Sequence, residues 1–345
     1  MNIREVARLA KVSTATVSRT INGSDKVTPE TRERVQRAIE ELGFYPNTWA
    51  RALGSGRSSL YGLIISDITN PFFPELVKSF EDIAVQHGQE VLVANTNYDP
   101  ERMEVCVSRM LQRKVDGVAI MTSEMDPRLI TEFQNRDIPL VFLDTGTVQK
   151  LTSNILVDYA SGIDAAVEHI ARLGHTQIAF ISGPMVLRSA QVRREAFVGC
   201  LKRRGIGADW LEEGNHQVDG GHQAMARLLL REKRPTAVLA SNDMTAIGAL
   251  GAIHERGLSV PEDISIVGFD DIQISAFTQP ALTTVRLSRD EIARVAFRAL
   301  YSIRQDGGKG GEYAVRSTLV VRRSTGRAPR DAAANLQKKT GLVEA

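Results

Sequence analysis

The stretch IREVARLAKVSTATVSRTIN, residues 3–22, decides the architecture of the first part of this chain. Val6, Ala7 and Ala10 recur at helical spacing, and the apolar face resumes after a short break at Val17. The outward positions of the second run carry hydroxyls, a methyl group and one guanidinium. This chemistry is wrong for catalysis and right for a DNA groove. The stretch therefore predicts a helix-turn-helix, whose second helix enters the major groove.

A third helix is predicted directly after this motif. Ser13 is a suitable N-cap for the second helix, and Asn22 begins a stop signal. Thr28 then caps a helix with Pro29 at its first position, and Gly43 ends it. Three consecutive helices predict a small, self-contained all-α head.

Positive charge is concentrated in this head. Residues 1–58 hold ten Lys/Arg against six acidic residues, whereas the remainder holds 33 basic and 35 acidic residues. Neutralising phosphates requires positive charge at the contact surface. Charge also occurs on ordinary solvated faces, so composition supports DNA binding without requiring it.

Other features narrow the class of protein. No apolar run reaches the roughly 20 residues that cross a membrane, and the N-terminus lacks a signal-peptide layout. Cys106 and Cys200 lie in helical patterns without metal-ligand spacing, which indicates buried small hydrophobes. We expect a cytoplasmic, disulfide-free protein with no membrane partner, no metal and no cofactor.

A short segment, NTWARALGSGRS at 47–58, joins the head to the rest of the chain. Asn47 can cap a short helix that Gly54 ends, and such a helix needs a partner copy or DNA to form. Leu53 on a basic helix suits a wedge inserted into the minor groove. A plain flexible linker is the alternative interpretation, and the sequence leaves both open.

The body, residues 60–325, alternates apolar strands with helices, which predicts an α/β core of two parallel-sheet subdomains. We place the first subdomain at 60–158 and 288–312 and the second at 159–287 and 313–325, and expect a disordered tail at 326–345. The strands are predicted in LYGLIISDI (60–68), EVLVANT (90–96), VDGVAIMT (115–122), PLVFLD (139–144), QIAFISG (177–183), TAVLAS (236–241), ISIVGFD (264–270), ALTTVRL (281–287) and around VRSTLVVRR (315–323).

Polar side chains follow the predicted strands, where ligands of open parallel sheets bind. They suit a polyhydroxylated ligand such as a sugar, although strand ends are also polar simply because they meet water. These positions include Asp67, Asn70, Phe72, Asn97, Ser123, Asp144, Ser182, Asn242, Asp270 and, on the following helix, Arg193.

Several ordered motifs resemble the LacI/GalR family of bacterial transcriptional regulators. They are VARLAKVSTATVSRTIN, NTWARAL, NPFF, LGHTQIAFISGP, SND and VGFDD followed by PALTTV, and they extend over about residues 3–325. The resemblance implies a homodimer that binds a pseudo-palindromic operator. It also implies a periplasmic-binding-protein-like core in which a small effector, a sugar or sugar derivative, changes operator affinity. The expected outcome is repression of carbohydrate-utilisation genes.

The resemblance also assigns roles to residues by motif. Thr14, Ala15 and Arg19 would read bases, and the phosphate contacts would be Ser13, Thr16, Ser18 and Asn22. Asn47 and Leu53 would belong to the hinge, with Leu53 at the operator centre. The effector would contact Phe72, Ser123, Arg193, Asn242 and Asp270.

Departures from the family pattern leave the effector open. Ala196 stands where a glycine is frequent, and Tyr159 follows Asp158 where an asparagine is frequent. Arg289 replaces an aromatic residue of some sugar-responsive members, and an extra cation in the cleft would favour an acidic or phosphorylated sugar. The tail lacks a leucine heptad, so we expect a dimer and no tetramer.

Two other classes of protein fit the sequence less well. A solute-binding protein of the transport type would need a signal peptide and would not carry the head. An enzyme would be expected to show a phosphate loop, a nucleophile elbow or metal-spaced His and Cys residues, and none occurs. Asp270 and Asp271 could form a carboxylate pair, but neighbours in sequence need not face one pocket. We therefore expect no catalytic residues.

Overall fold

The computed structural model describes residues 2–21, 23–44, 58–122, 125–305 and 307–329, with the side chains of residues 304 and 305 excepted. Four of the predicted contact residues lie outside these ranges: Asn22, Asn47, Leu53 and Ser123.

The head consists of three helices, α1 (Ile3–Leu9), α2 (Thr14–Ile21) and α3 (Pro29–Leu42). The predicted N-caps of α2 and α3 are present: the Ser13 hydroxyl accepts the Thr16 N–H at 3.1 Å, and the Thr28 hydroxyl accepts the Thr31 N–H at 3.4 Å. Gly43 ends α3 in the left-handed conformation. One small core closes the three helices, formed by Val6, Ala7, Ala10, Val17, Val35 and Ala38.

Within the described residues the body forms one sheet of eleven strands in the order β2-β1-β3-β4-β5-β11-β10-β9-β8-β6-β7. All neighbours pair in parallel except β10 and β11. The elements are β1 (Leu60–Ile65), α4 (Phe72–Gln86), β2 (Glu90–Asn95), α5 (Pro100–Gln112), β3 (Gly117–Met121), α6 (Pro127–Gln134), β4 (Leu140–Leu143), β5 (Thr152–Asp158), α7 (Tyr159–Arg172), β6 (Ile178–Ser182), α8 (Arg188–Arg203), β7 (Trp210–Glu213), α9 (Val218–Leu229), β8 (Ala237–Ala240), α10 (Asp243–Glu255), β9 (Ser265–Asp270), β10 (Thr283–Leu287), α11 (Arg289–Gln305) and β11 (Glu312–Val320).

The body divides into two lobes between which the chain passes three times. The first lobe contains β1–β5, α4–α6 and α11, and the second contains β6–β10 and α7–α10. The first passage joins β5 to α7, and the second joins β10 to α11, which packs on α4 and β5. The third lies inside β11, which pairs with β5 up to Arg316 and with β10 from Ser317.

The helical head and the two-part α/β core agree with the sequence, but several details differ. The sequence-based boundaries omitted β5, β7 and α9. The predicted crossing at 312–313 falls inside the pairing of β11 with β5, which continues to Arg316. The division into subdomains otherwise stays a prediction.

The beginning of the predicted tail packs on the second lobe. The buried His175 contacts the Gly326 carbonyl oxygen through Nε2 at 3.0 Å and the Thr236 hydroxyl through Nδ1 at 2.9 Å. The Ala328 N–H donates to the Leu173 carbonyl oxygen at 2.9 Å. Residues 326–329 are therefore part of the folded body, contrary to the prediction of disorder.

Candidate functional site

Six of the predicted DNA-contact residues lie on the second helix of the head or at its N-cap. Ser13, Thr14, Ala15 and Arg19 are exposed, whereas Thr16 and Ser18 are half-buried. Val17 and Thr20 face inward, and the Thr20 hydroxyl donates to the Thr16 carbonyl oxygen at 2.9 Å. An exposed row of small side chains at a helix N-terminus fits a major groove, where short residues let the backbone approach the bases.

A cavity of about 270 Å³ lies between the two lobes of the body, at the carboxyl ends of their strands. Apolar and polar groups both line it: Ser66, Asn70, Phe72, Phe73, Tyr98, Met121, Thr122, Leu143, Asp144, Thr145, Leu156, Val157, Tyr159, Arg188, Ser189, Val192, Arg193, His216, Asn242, Asp270 and Leu287.

Arg193 is the central cation of the cavity. Its guanidinium lies over the Phe269 ring at 4.4 Å and over the Tyr159 ring at 4.9 Å, so two aromatic faces fix its plane. Nη1 donates to the Ser241 carbonyl oxygen at 2.6 Å, and Nη2 lies 3.8 Å from Asp270 Oδ1. Its Nε is buried without a partner among the described residues. Because a buried donor without a partner is costly, this N–H is suited to an acceptor on a ligand.

Asp144 and Tyr159 form a second polar centre. The Tyr159 hydroxyl donates to Asp144 Oδ2 at 2.5 Å, and the Val157 N–H donates to Oδ1 at 2.8 Å. Burial raises the pKa of Asp144, although these two bonds lower it. Burial also raises the pKa of the Tyr159 hydroxyl, which therefore stays protonated and remains a donor.

Two further carboxyl groups are buried on the second lobe. Burial raises the pKa of Asp270 to about 6, while the positive charge of Arg193 acts in the opposite direction. Burial, reinforced by the nearby charge of Asp270, raises the pKa of Asp243 to about 7. Asp243 accepts hydrogen bonds from Thr284, Ser275 and the Ile272 N–H. It therefore holds the loop after Asp270 in place.

Asn242 and His216 shape the floor of the cavity. Asn242 Oδ1 caps α10 by accepting the Thr245 N–H at 2.9 Å, and its Nδ2 donates to the His216 carbonyl oxygen at 2.9 Å. Burial lowers the pKa of His216 to about 3, so its imidazole is neutral at physiological pH. Asn242 thus has one amide hydrogen beyond these two bonds, and its first role is structural.

The structure brings four predicted effector residues, Phe72, Arg193, Asn242 and Asp270, to one cavity. Sequence reasoning gave no ligand role to Tyr159 or His216, which also line it. Their signal was weak, because a tyrosine at a helix start and a histidine in a loop have many structural uses.

Arg289 is not the extra cation that the sequence suggested for the cleft, where the second arginine is the exposed Arg188. Arg289 does not line the cavity; it donates to the carbonyl oxygens of Asp270 and Asp271 and pairs with Glu75 Oε2 at 2.9 Å. The two neighbouring carboxylates also diverge. Asp270 faces the cavity, whereas Asp271 pairs with Arg286 and Arg322, each at 2.6 Å.

Comparisons with known families agree with this arrangement. Residues 2–47 match the family model "Bacterial regulatory proteins, lacI family", and residues 167–325 match the "Periplasmic binding protein-like domain". The chain is 33% identical over 328 residues to the HTH-type transcriptional repressor PurR of Histophilus somni (strain 129Pt), covering 93% of this chain and 98% of that protein. The chain belongs to the lacI family of bacterial regulatory proteins.

Other relatives support the same assignment. The catabolite control protein A of Priestia megaterium is 32% identical over 303 residues, which cover 87% of this chain and 91% of that protein. The lac repressor dimer bound to operator and the anti-inducer ONPF matches with a TM-score of 0.84 at 30% identity, over 94% of this chain and 99% of that one. The complex of the transcriptional regulator CelR with cellobiose matches with a TM-score of 0.70 at 28% identity, over the same shares.

This LacI-family chain is therefore a DNA-binding transcriptional regulator and not an enzyme. Cys106 and Cys200 are buried free thiols, as the sequence predicted. Among the described residues, none of the helices combines the length and apolar character that crossing a membrane requires.

Proposed function

We propose that this chain is a dimeric repressor that binds a pseudo-palindromic operator through its head and releases or tightens that grip when a small neutral sugar or sugar derivative enters the cavity. The observation that carries the proposal is the cavity between the lobes, with Arg193, Asp144 and Asp270 converging in one chain with a helix-turn-helix.

The relatives support repression and dimerisation. PurR of Histophilus somni is a transcriptional repressor, and the lac repressor structure is a dimer bound to operator. A two-fold dimer presents two recognition helices to two half-sites, which explains an operator with the same symmetry.

The cavity chemistry supports a hydroxyl-rich ligand. Asp144 and Asp270 offer acceptors for hydroxyl groups, and Arg193 Nε offers a donor for a ring or hydroxyl oxygen. The apolar wall that includes Phe72 suits the C–H face of a pyranose ring. CelR, a relative with the same fold, is in complex with cellobiose.

The balance of charge favours a neutral ligand over a phosphorylated one. Arg193 is the central guanidinium, and it lies near two carboxyl groups, the buried Asp270 and the half-buried Asp144, whereas Arg188 also lines the cavity but is exposed. Arg289, which would have supplied the extra positive charge, is engaged by Glu75 outside the cavity. A phosphate would therefore lie beside like charges, which is unfavourable at low dielectric.

Contacts between the lobes give the ligand a way to act. Gln217 Nε2 of the second lobe donates to Asp67 Oδ2 of the first at 2.5 Å, and the Gln273 N–H donates to Glu75 Oε1 at 3.0 Å. A ligand in the cavity touches both lobes and so shifts the balance between their arrangements. A coupling of about 1–3 kcal/mol is enough to change operator affinity 5- to 150-fold.

The test is isothermal titration of the full-length chain with a panel of neutral sugars, sugar phosphates, nucleobases and nucleosides. We expect a neutral sugar to bind, and expect Arg193→Gln to weaken binding at least tenfold. Arg204→Gln is the matched control, because Arg204 pairs with Asp164 away from the cavity. Binding of only phosphorylated sugars, or of only planar nitrogen heterocycles stacked on the aromatic wall, would contradict the proposed ligand class.

Repetition of the titration with DNA decides the sign of coupling. The DNA would be a duplex that the full-length chain selects from a randomised pool. A ligand that weakens DNA binding is an inducer and one that strengthens it is a corepressor. A chain that selects no sequence would refute the operator-binding part of the proposal.

A further inference from the structure

The point at which the linker reaches the body is fixed by one carboxylate. Asp116 Oδ1 accepts the Ser58 N–H at 3.2 Å, and Oδ2 accepts the Ser59 N–H at 3.0 Å. The Asp116 N–H donates in turn to the Leu60 carbonyl oxygen at 2.7 Å. Asp116 is buried, and bonds between a backbone N–H and a carboxylate are stronger than those between neutral groups.

The backbone at this point adopts a conformation that needs support. Ser59 has a φ of +56°, in the left-handed region that residues with a Cβ seldom occupy. Its carbonyl oxygen accepts the Glu90 N–H at 2.8 Å, and the Ser58 hydroxyl accepts the Leu60 N–H at 3.3 Å. Such a conformation persists only where surrounding contacts stabilise it. The Asp116 carboxylate supplies the charged hydrogen-bond acceptors among these contacts.

The same two strands connect this turn to the cavity. β1 starts at Leu60 and leads to Ser66, and β3 follows Asp116 and leads to Thr122. Ser66 and Thr122 both line the cavity, and the two strands pair in parallel along their length. The carboxylate thus lies at one end of a paired ribbon and the cavity at the other, roughly 17–20 Å away at about 3.3 Å per residue.

We propose that Asp116 is a positioning residue for operator binding: it anchors Ser58 and Ser59, and thereby sets where and in which direction the linker joins the body. The inference rests on the proposed function in one respect, because operator affinity is its readout. It assigns to Asp116 no contact with DNA or effector.

The anchor matters because two heads of a dimer must reach two half-sites together. Freeing Ser58 and Ser59 means that their backbone must be ordered again when both heads bind. Preordered residues spare that cost, which is the general benefit of preorganisation. We expect Asp116→Ala to weaken binding to a selected operator at least tenfold, and to leave effector binding within twofold.

The experiment compares four full-length variants with the parent chain: Asp116→Ala, Asp116→Asn, Ser59→Gly and the double variant Asp116→Ala/Ser59→Gly. The probe is the duplex that the parent chain selects from a randomised pool. Asn retains the size of Asp but presents an amide NH2 to one of the two backbone N–H groups, so it should lose affinity as well. Glycine adopts positive φ without strain. The double variant should therefore bind the operator at least threefold more tightly than Asp116→Ala does.

Asp126→Ala is the matched control. Asp126 also accepts a backbone N–H, that of Arg128 at 2.8 Å, in the same lobe but away from the linker. The Asp126→Ala variant should lower the free energy of unfolding without lowering operator affinity. Effector affinity and thermal unfolding of every variant separate a misplaced linker from a damaged lobe.

Three results would overturn the proposal. They are operator affinity of Asp116→Ala within twofold of the parent, an equal loss in Asp126→Ala, or no recovery in the double variant. A parent chain that selects no duplex refutes the proposed function instead. In that case hydrogen exchange decides the anchor alone: the Ser58 and Ser59 amides should exchange at least tenfold faster in Asp116→Ala, and unchanged exchange refutes it.

Discussion

Replacing Tyr159 by Phe tests the polar centre of the cavity with a single atom. The variant removes the hydroxyl that donates to Asp144 at 2.5 Å. It leaves the ring, which contacts Phe269 and the Arg193 guanidinium, so no volume is lost. The change therefore removes the hydrogen bond to the half-buried Asp144 carboxylate and the hydroxyl's interaction with Arg193.

The expected loss of unfolding free energy is about 1.5–3 kcal/mol at pH 8, the usual worth of a hydrogen bond to a charged group. The pH dependence follows from the pKa of Asp144. Burial already holds this pKa above its usual value, and removal of a donor raises it further. A carboxyl group whose pKa is raised in the folded state stabilises the folded state at pH values below its unfolded pKa. This stabilisation is lost as pH rises through the folded pKa. The loss should therefore be smaller at pH 5 than at pH 8.

The assay is urea unfolding followed by circular dichroism at both pH values. Tyr301→Phe is the control, because Tyr301 is 41% exposed. We expect that control to change stability by less than about 0.5 kcal/mol. A loss for Tyr159→Phe below about 0.5 kcal/mol at both pH values, or a larger loss at pH 5, would refute the role given to this bond.

Three further predictions address the head, the packing and the buried acids. Arg19→Ala should cost about 1–3 kcal/mol of operator affinity and relax preference at one base position; equal weakening of all sequences in a binding-selection assay would make Arg19 a phosphate contact. Gly248→Ala should lower the melting temperature, because its Cβ would lie 1.9 Å from the Val218 carbonyl oxygen. Gly251 lies on the same helix, but a Cβ there makes only an ordinary contact at 3.6 Å. Gly251→Ala should therefore be neutral or stabilising by up to about 1 kcal/mol. Burial raises the pKa values of Asp243 and Asp270 to about 7 and about 6, above the unfolded value of about 3.9. Unfolding free energy should therefore fall as pH rises from about 4 to about 7, by at most about 1.4 kcal/mol per pH unit for each group, and Asp243→Asn should flatten the curve.

Much of the fold could be predicted from local pattern. The caps at Ser13 and Thr28 and the apolar strands of the core rest on neighbouring residues, so the sequence displays them directly. Strand β5 was not predicted from the sequence, because three of its buried residues, Thr152, Ser153 and Asn154, are polar. Their partners come from elsewhere: the Gly311 N–H donates to Ser153 Oγ at 3.1 Å. No local rule marks such a strand.

The helix α9 escaped for a related reason. Gly220 and Gly221 lower its helix propensity, yet a Cβ at Gly221 would lie 2.2 Å from the Thr245 carbonyl oxygen. Gly221 serves a close approach of two helices that only the folded chain reveals. The cavity residues also divide into those marked by local sequence and those set by contacts between distant segments. Arg193 and Asp270 could be predicted from strand order and motif, whereas the engagement of Arg289 by Glu75 depends on the packing of α11 on α4, helices far apart in the sequence.

The late position of β11 has a consequence for synthesis of the chain. Strand β5 pairs with β11 from Asn154 and Glu312 onwards. Until Glu312 and the residues after it have left the ribosome, this edge of the first lobe's sheet has no neighbouring strand. An unpaired parallel edge is a template for aggregation. Neither lobe can be produced by a single truncation, and a nascent chain halted near residue 300 should depend on chaperones more than the complete one.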